Sequence, residues 1–174
     1  RPEARDAIAR LRGRGIRTIM LTGDREGVAR HIAAEVGIDE VRAELLPEDK
    51  VRAIGELRRT GRVAMVGDGV NDGPALVAAN VGISMGSGTD VSLESADLVL
   101  MKNDLTRISS AIGLARKAAR TIRFNLTFAL GVIVVVGILA LFGQVALPTG
   151  VIAHEGGTIF VVAMGLRLLG YKAE

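Results

Sequence analysis

Gly67-Asp68-Gly69-Val70-Asn71-Asp72-Gly73-Pro74-Ala75-Leu76 comes directly after an apolar run that ends at Val66 and leads into a segment that Pro74 opens as a helix. The run from Arg62 to Val66 reads as a buried strand. The order is therefore strand, acidic glycine-rich turn, helix. Asp68 and Asp72 place two carboxylates in the turn, and Asn71 adds an amide. Carboxylate oxygens of this kind hold hard divalent cations, and magnesium takes one or two of them together with phosphate oxygens. The glycines let the backbone come close to a ligand. An Asx-rich turn with no ligand has the same composition.

The same alternation extends toward the N-terminus. Pro2 suits the first turn of a helix that runs to about Arg12, and Gly13 and Gly15 end it. Ile16 to Leu21 reads as a buried strand, followed by the polar turn Thr22-Gly23-Asp24-Arg25. Val28, Ala29, Ile32, Ala33 and Val36 recur at helical spacing, closed by Gly37. A weak strand lies near Val41 to Ala43. Pro47 opens a helix with Val51, Ile54 and Leu57 on one face. Val81 to Met85 and Asp97 to Leu100 are two further strands. Strands alternating with helices of about ten residues predict an α/β fold, a Rossmann-like parallel sheet with helices on both faces. Ligands bind such sheets at the carboxyl ends of the strands, where both polar turns fall. Thr22, Gly23 and Asp24 offer a hydroxyl and unhindered N–H groups for a phosphate, or equally an N-cap turn. Lys50 stands in the first turn of its helix, against the helix dipole. Phosphate donors, a cationic clamp and a magnesium site are what phosphoryl transfer needs.

The tail is of another kind. From Leu105 a helix carrying Arg107, Arg116, Lys117, Arg120 and Arg123 leads into Phe124 to Phe142, where Asn125 and Thr127 are the polar side chains. About twenty such residues span a bilayer. Gln144 to Pro148 is a short turn, and Thr149 to Leu169 a second span. The expected segments are 1–104 for the phosphate-handling part, 105–123 for a basic linking helix, and membrane helices at 124–143 and 149–169. Basic residues flank the outer ends of both spans, so both ends face the cytoplasm. The second span holds His154-Glu155-Gly156-Gly157-Thr158. Ionisable groups in a span are costly and functional as a rule. His154, Glu155 and Thr158 can share one helical arc, and imidazole with carboxylate suits zinc or cobalt. Gly156 and Gly157 permit close approach or a local helix break. A place in water near the outer interface accounts for His154 and Glu155 equally well.

The 174 residues carry a net charge of +3, yet only 3% are aromatic and none is Trp. Nucleic-acid binding draws on a concentrated basic stripe with stacking rings, so no nucleic-acid partner is expected. With no cysteine, disulfides and thiolate metal sites within the chain are excluded. Arg1 is no initiator residue and no apolar signal segment comes after it, so the chain reads as starting inside something larger.

TGDR (22–25), LLPEDK (45–50) and MVGDGVNDGPAL (65–76), in this order and spacing, resemble the haloacid dehalogenase-like phosphorylation domain of P-type ATPases. VGISMGSGTDVSLESADLVLM, Val81 to Met101, is similar to the adjoining stretch in their metal-transporting branch. The resemblance implies that Thr22 and Gly23, with Asp24, contact the phosphoryl group, that Lys50 neutralises it, and that Asp68 and Asp72, with Asn71, hold magnesium. ATP is then the substrate and an aspartate of a DKTGT motif the nucleophile. DKTGT, the TGE motif and a nucleotide-binding domain are not in this chain, so the fragment alone is expected to be inactive. HEGGT is similar to the last-helix motif of the cobalt/zinc-type branch. It implies that His154, Glu155 and Thr158 carry a zinc, cobalt or cadmium ion. The chain departs from the pattern at Met164 and Asn80, where Asn and Asp are frequent.

The resemblance thus implies part of a multi-pass pump in the bacterial plasma membrane, exporting a divalent heavy metal through an aspartyl phosphate. Its partners would be the ion, ATP bound through an upstream domain, and membrane lipid. A membrane-anchored phosphatase of the haloacid dehalogenase superfamily is the alternative, with DxDxT and no insert upstream. A binding or regulatory piece made from a pump's tail is the third reading.

Overall fold

A computed structural model describes residues 3–67, 70–86, 94–102 and 104–170. The chain divides into two compact units, Arg1–Ser109 and Ser110–Glu174. In the first, the helices are α1 (Ala4–Gly13), α2 (Glu26–Val36), α3 (Pro47–Thr60) and α4 (Gly73–Ala78). The strands are β1 (Ile19–Leu21), β2 (Glu40–Arg42), β3 (Ala64–Gly67), β4 (Val81–Met85) and β5 (Leu98–Leu100). A 3₁₀ turn, Val70–Asp72, precedes α4. Two helices come next, α5 (Thr106–Leu141), which begins in the first unit and runs through the second, and α6 (Leu147–Leu166).

Every strand pair is parallel, as the alternation of elements requires. Ile19 lies opposite Glu40, Ala64 opposite Val81, and Ile83 opposite Leu98. The strands form two groups rather than the single sheet expected: β1-β2, and β3-β4-β5. Apolar runs announce strands but not which edges pair, and among the described residues β1 and β3 each pair with a single strand.

The core beneath the polar turns joins Ile54 of α3, Met65 of β3, and Ala75 and Leu76 of α4, with Leu21 and Val51 packed against them. Helix α2 departs from its expected face. Ala29 and Ala33 are buried, whereas Val28 and Ile32 stand exposed. The two alanines meet the rest of the unit, and no described residue covers the flank that Val28 and Ile32 share. Asp39 ties the starts of β1 and β2 together: the N–H and hydroxyl of Thr18 both donate to its Oδ2 at 2.8 Å. Those bonds, with the guanidinium groups of Arg12 and Arg17, hold its carboxyl below the ordinary carboxylate value.

In the second unit the two apolar helices form a hairpin. Asn125 Nδ2 donates to Val161 O at 3.2 Å. Phe128 and Phe160 meet with ring centroids 4.8 Å apart. Gly143, at φ +68°, ends α5: its own N–H donates to Ala140 O and that of Gln144 to Leu139 O, a Schellman closure. The turn therefore precedes Leu147, earlier than the expected span start at Thr149. The basic segment and the first apolar span are one helix, because nothing between Arg123 and Phe124 breaks it.

Candidate functional site

Three loops meet above the core. Leu21 ends β1, and Thr22 N still donates to Arg42 O at 3.1 Å, so the ladder carries the chain one residue further. The turn then closes on itself: Asp24 N donates to Thr22 Oγ1 at 3.1 Å, and Thr22 Oγ1 to Asp24 Oδ2 at 3.0 Å. Gly23 lies against the next loop, where a Cβ would come 3.3 Å from Leu45 O. Leu45 N donates to Thr22 O at 3.0 Å and Glu44 N to Asp24 O at 2.9 Å. Glu44 adopts φ +57° to make these bonds, the one non-glycine residue with positive φ among those described.

Immediately after that loop, Leu46 N donates to Asp49 Oδ2 at 3.1 Å and α3 begins at Pro47. Lys50 projects from the first turn, and its Nζ lies 2.8 Å from Asp72 Oδ1. The two side chains are 16% and 15% exposed, so the pair is mostly shielded from water. This long-range partner explains a lysine placed against the helix dipole. Asp72 ends the 3₁₀ turn before α4 and leans over Gly67 at the end of β3. A Cβ on Gly67 would lie 2.7 Å from Asp72 Cβ, so only glycine leaves the carboxylate where it is. Asn71 is exposed. Asp68 lies outside the described residues.

The structure thus brings Lys50 and Asp72 into contact and ties Thr22, Gly23 and Asp24 to the loop that launches α3. A lysine ammonium beside a carboxylate offers a cation for a phosphoryl group and an oxygen for a hard metal. Lys50 engages Oδ1 of Asp72 and leaves Oδ2 to a ligand, which fits a magnesium ion held largely by water and phosphate oxygens. No cluster of three or more His, Cys, Asp or Glu side chains occurs among the described residues. Glu44 and Leu45 belong to this arrangement, although sequence reasoning assigned them no role, and Gly67 makes room for Asp72 rather than only for a ligand. Gly67 and Leu45 lie within the quoted motifs. Glu44 carries no signal, since its positive φ follows from loop closure.

In the apolar hairpin, His154, Glu155 and Thr158 are all exposed on α6. Thr158 Oγ1 donates to His154 O at 3.1 Å, within its own helix. The helix is unbroken through Gly156 and Gly157, and Gly157 faces Phe128 and Val132 of α5. Gly150, Gly157, Phe160 and Val161 form the stripe that meets α5. At about 100° per residue, His154 lies about 60° from the centre of that stripe, Thr158 about 100° and Glu155 about 160°. Glu155 is thus turned away from α5, Thr158 stands at the side, and His154 lies at the edge of the face that meets α5. Asn125, one of the two polar side chains of the first span, makes a contact the sequence does not show, and its Oδ1 is buried with no partner in the described residues.

Comparison with known proteins gives a consistent picture. The family of haloacid dehalogenase-like hydrolases matches residues 1–80. A zinc-transporting ATPase of Bacillus subtilis (strain 168) is 52% identical over 97% of this chain and 27% of its own length. A probable cadmium-transporting ATPase of Staphylococcus aureus is 43% identical over 99% of this chain and 22% of its own. The crystal structure of a zinc-transporting PIB-type ATPase in an E2.Pi state superposes with a TM-score of 0.93 at 46% identity, over 97% of this chain and 28% of that one. The chain spans about a quarter of the length of the curated relatives it matches.

Proposed function

We propose, given that this chain belongs to the metal-transporting P-type ATPases, that it is the portion of an ATP-driven pump for a divalent heavy metal that clamps the phosphoryl group and supplies part of the ion path. The observation that carries this reading is the Lys50–Asp72 pair, set between the loops that follow β1 and β3. Phosphoryl transfer depends on positioning and charge neutralisation, and these residues supply both.

Lys50 spreads positive charge over the phosphoryl oxygens. The N–H groups of the Thr22–Asp24 turn and the Thr22 hydroxyl orient them. Asp72 holds magnesium with Asn71 and Asp68, and the ion adds Lewis-acid neutralisation when bound. The aspartate that attacks ATP belongs to another part of the whole protein. In the hairpin, His154, Glu155 and Thr158 provide nitrogen and oxygen ligands for zinc, cobalt or cadmium as the transported substrate. Helices α5 and α6 are long and apolar enough to cross a membrane. We place them in a bacterial plasma membrane with the first unit in the cytoplasm.

The test uses the full-length protein. Lys50→Ala and Asp72→Asn are each expected to lower ATP turnover by about 10²–10³-fold, the scale of losing one preorganised electrostatic group. Nucleotide binding, made elsewhere, stays at the wild-type level. Turnover within twofold of wild type in either variant rejects the assignment.

A further inference from the structure

We infer that Arg116, Arg120 and Arg123 on the outer face of α5, with Arg167 beyond α6, form a belt that binds the phosphate headgroups of anionic phospholipids, a reading that rests on the placement of α5 and α6 in a bilayer. Three observations support it. The first is direction. Arg116, Arg120 and Arg123 fall within about 60° of one another around α5. The residues that face α6, among them Asn125, Phe128, Val132 and Val136, lie on the opposite side of the helix. The three guanidinium groups therefore point outward, and all are exposed.

The second is height. The Asn125–Val161 hydrogen bond fixes the register of the hairpin. At a rise of ~1.5 Å per residue, Arg120 lies ~7.5 Å before that contact on α5 and Arg167 ~9 Å beyond it on α6. Arg123 lies between this level and the apolar span, and Arg116 stands ~6 Å further from the span than Arg120. The charges thus make a belt at the end of the apolar region, where headgroup phosphates lie.

The third is that the belt arginines have no carboxylate partner among the described residues. In the first unit seven arginines (10, 12, 17, 30, 42, 52 and 107) have a carboxylate partner. None of the four belt arginines has one among the described residues. Arg123 reaches only Ala119 O, at 3.5 Å, and Arg167 only the sulfur of Met164. From Ser110 onward the acidic residues are Glu155, in mid-span, and Glu174, the last residue. Guanidinium matches phosphate by two parallel hydrogen bonds, which sets it apart from a diffuse positive charge.

The experiment uses the 174-residue chain carrying Ile122→Trp, a reporter at an exposed position inside the belt of a chain that has no other Trp. The chain is reconstituted in phosphatidylcholine vesicles containing phosphatidylglycerol, and quenching by brominated forms of each lipid gives their relative binding constant. Each arginine near an anionic surface contributes about fivefold, so a preference for phosphatidylglycerol of fivefold or more is expected. Arg116→Gln with Arg120→Gln, which leaves Arg123 and Arg167 to anchor the helix ends, is expected to cut the preference at least fivefold. Lysine at both positions retains more of it than glutamine. Equal quenching by the two lipids in the parent chain overturns the proposal, as does a glutamine variant that keeps the full preference. Release of the preference by millimolar inorganic phosphate also overturns it, since a free-anion site behaves so. Quenching by neither lipid overturns the membrane placement as well, which separates that failure from failure of the belt.

Discussion

Gly67 and Asp72 show how far a single side chain can be read. The acidic turn is visible in the sequence, but the reason for glycine at its first position is a distance: an added Cβ would sit 2.7 Å from Asp72 Cβ. Gly67→Ala must therefore push Asp72 aside. The expected cost is about 1–3 kcal/mol of stability from overpacking. On the role proposed for Asp72, displacing its carboxylate by an ångström is expected to cost about 10²-fold in the turnover of the full-length protein. Chemical denaturation and steady-state turnover check the two values, and a variant with wild-type turnover removes Asp72 from the site. Glu44 predicts the opposite sign. A non-glycine residue in the left-handed region is strained by about 1–2 kcal/mol, and Glu44→Gly relieves it at the expense of a more flexible unfolded chain. The net expectation is a gain of up to about 1 kcal/mol, read from the denaturation midpoint. Asn80, one of the departures from the family pattern, is explained locally: its Oδ1 accepts from Val63 N at 2.9 Å and helps seat β3 beside β4. Aspartate would accept the same bond.

At the scale of elements, strands and helices were legible where apolar spacing was strong. β4 lies where the sequence places it, and β3 and α3 start within two residues of expectation. Helix α2 was misread in part, since its spacing marks an apolar face without saying which half meets a partner. The β1–β2 pair carries a pH prediction. Thr18 donates two hydrogen bonds to Asp39, and Arg12 and Arg17 lie close by, so the folded state holds the carboxylate ionised to lower pH than the unfolded state does. A depressed carboxyl contributes stability that is present above the ordinary carboxylate value and is lost as pH falls through the lower, folded one. Amide protection of β1 and β2 is therefore expected to decline in that acidic window, and Asp39→Asn is expected to flatten the decline. An unchanged slope in the variant rules out Asp39 as its source. The junction of the basic and apolar segments is the other element-scale finding: as 105–123 and 124–143 they read as two pieces, but the backbone joins them in α5.

For the whole molecule, the membrane arc of α6 gives the decisive prediction. His154→Ala with Glu155→Ala in the full-length pump is expected to leave insertion intact, because polar groups in a bilayer disfavour it. Metal-stimulated ATPase activity is expected to vanish, since the ion must favour one state of the pump to drive the other. A wild-type metal response rejects these residues as ligands. Local pattern was enough to specify the alternation of parallel strands and helices, the polar turns at the strand ends and the two apolar spans. Each of these is a matter of side-chain type and spacing, which the backbone periods of about 2 and 3.6 residues translate directly. Three-dimensional packing was needed to settle that Lys50 of α3 reaches Asp72 across twenty-two positions, that Glu44 turns left-handed to hold the Thr22 loop, and that the strands fall into two groups. The same holds for α6, where Glu155 faces away from α5 and His154 lies at the edge of the contact. These features depend on which surfaces meet, and that is settled by shape and burial between segments distant in sequence, which no local period encodes.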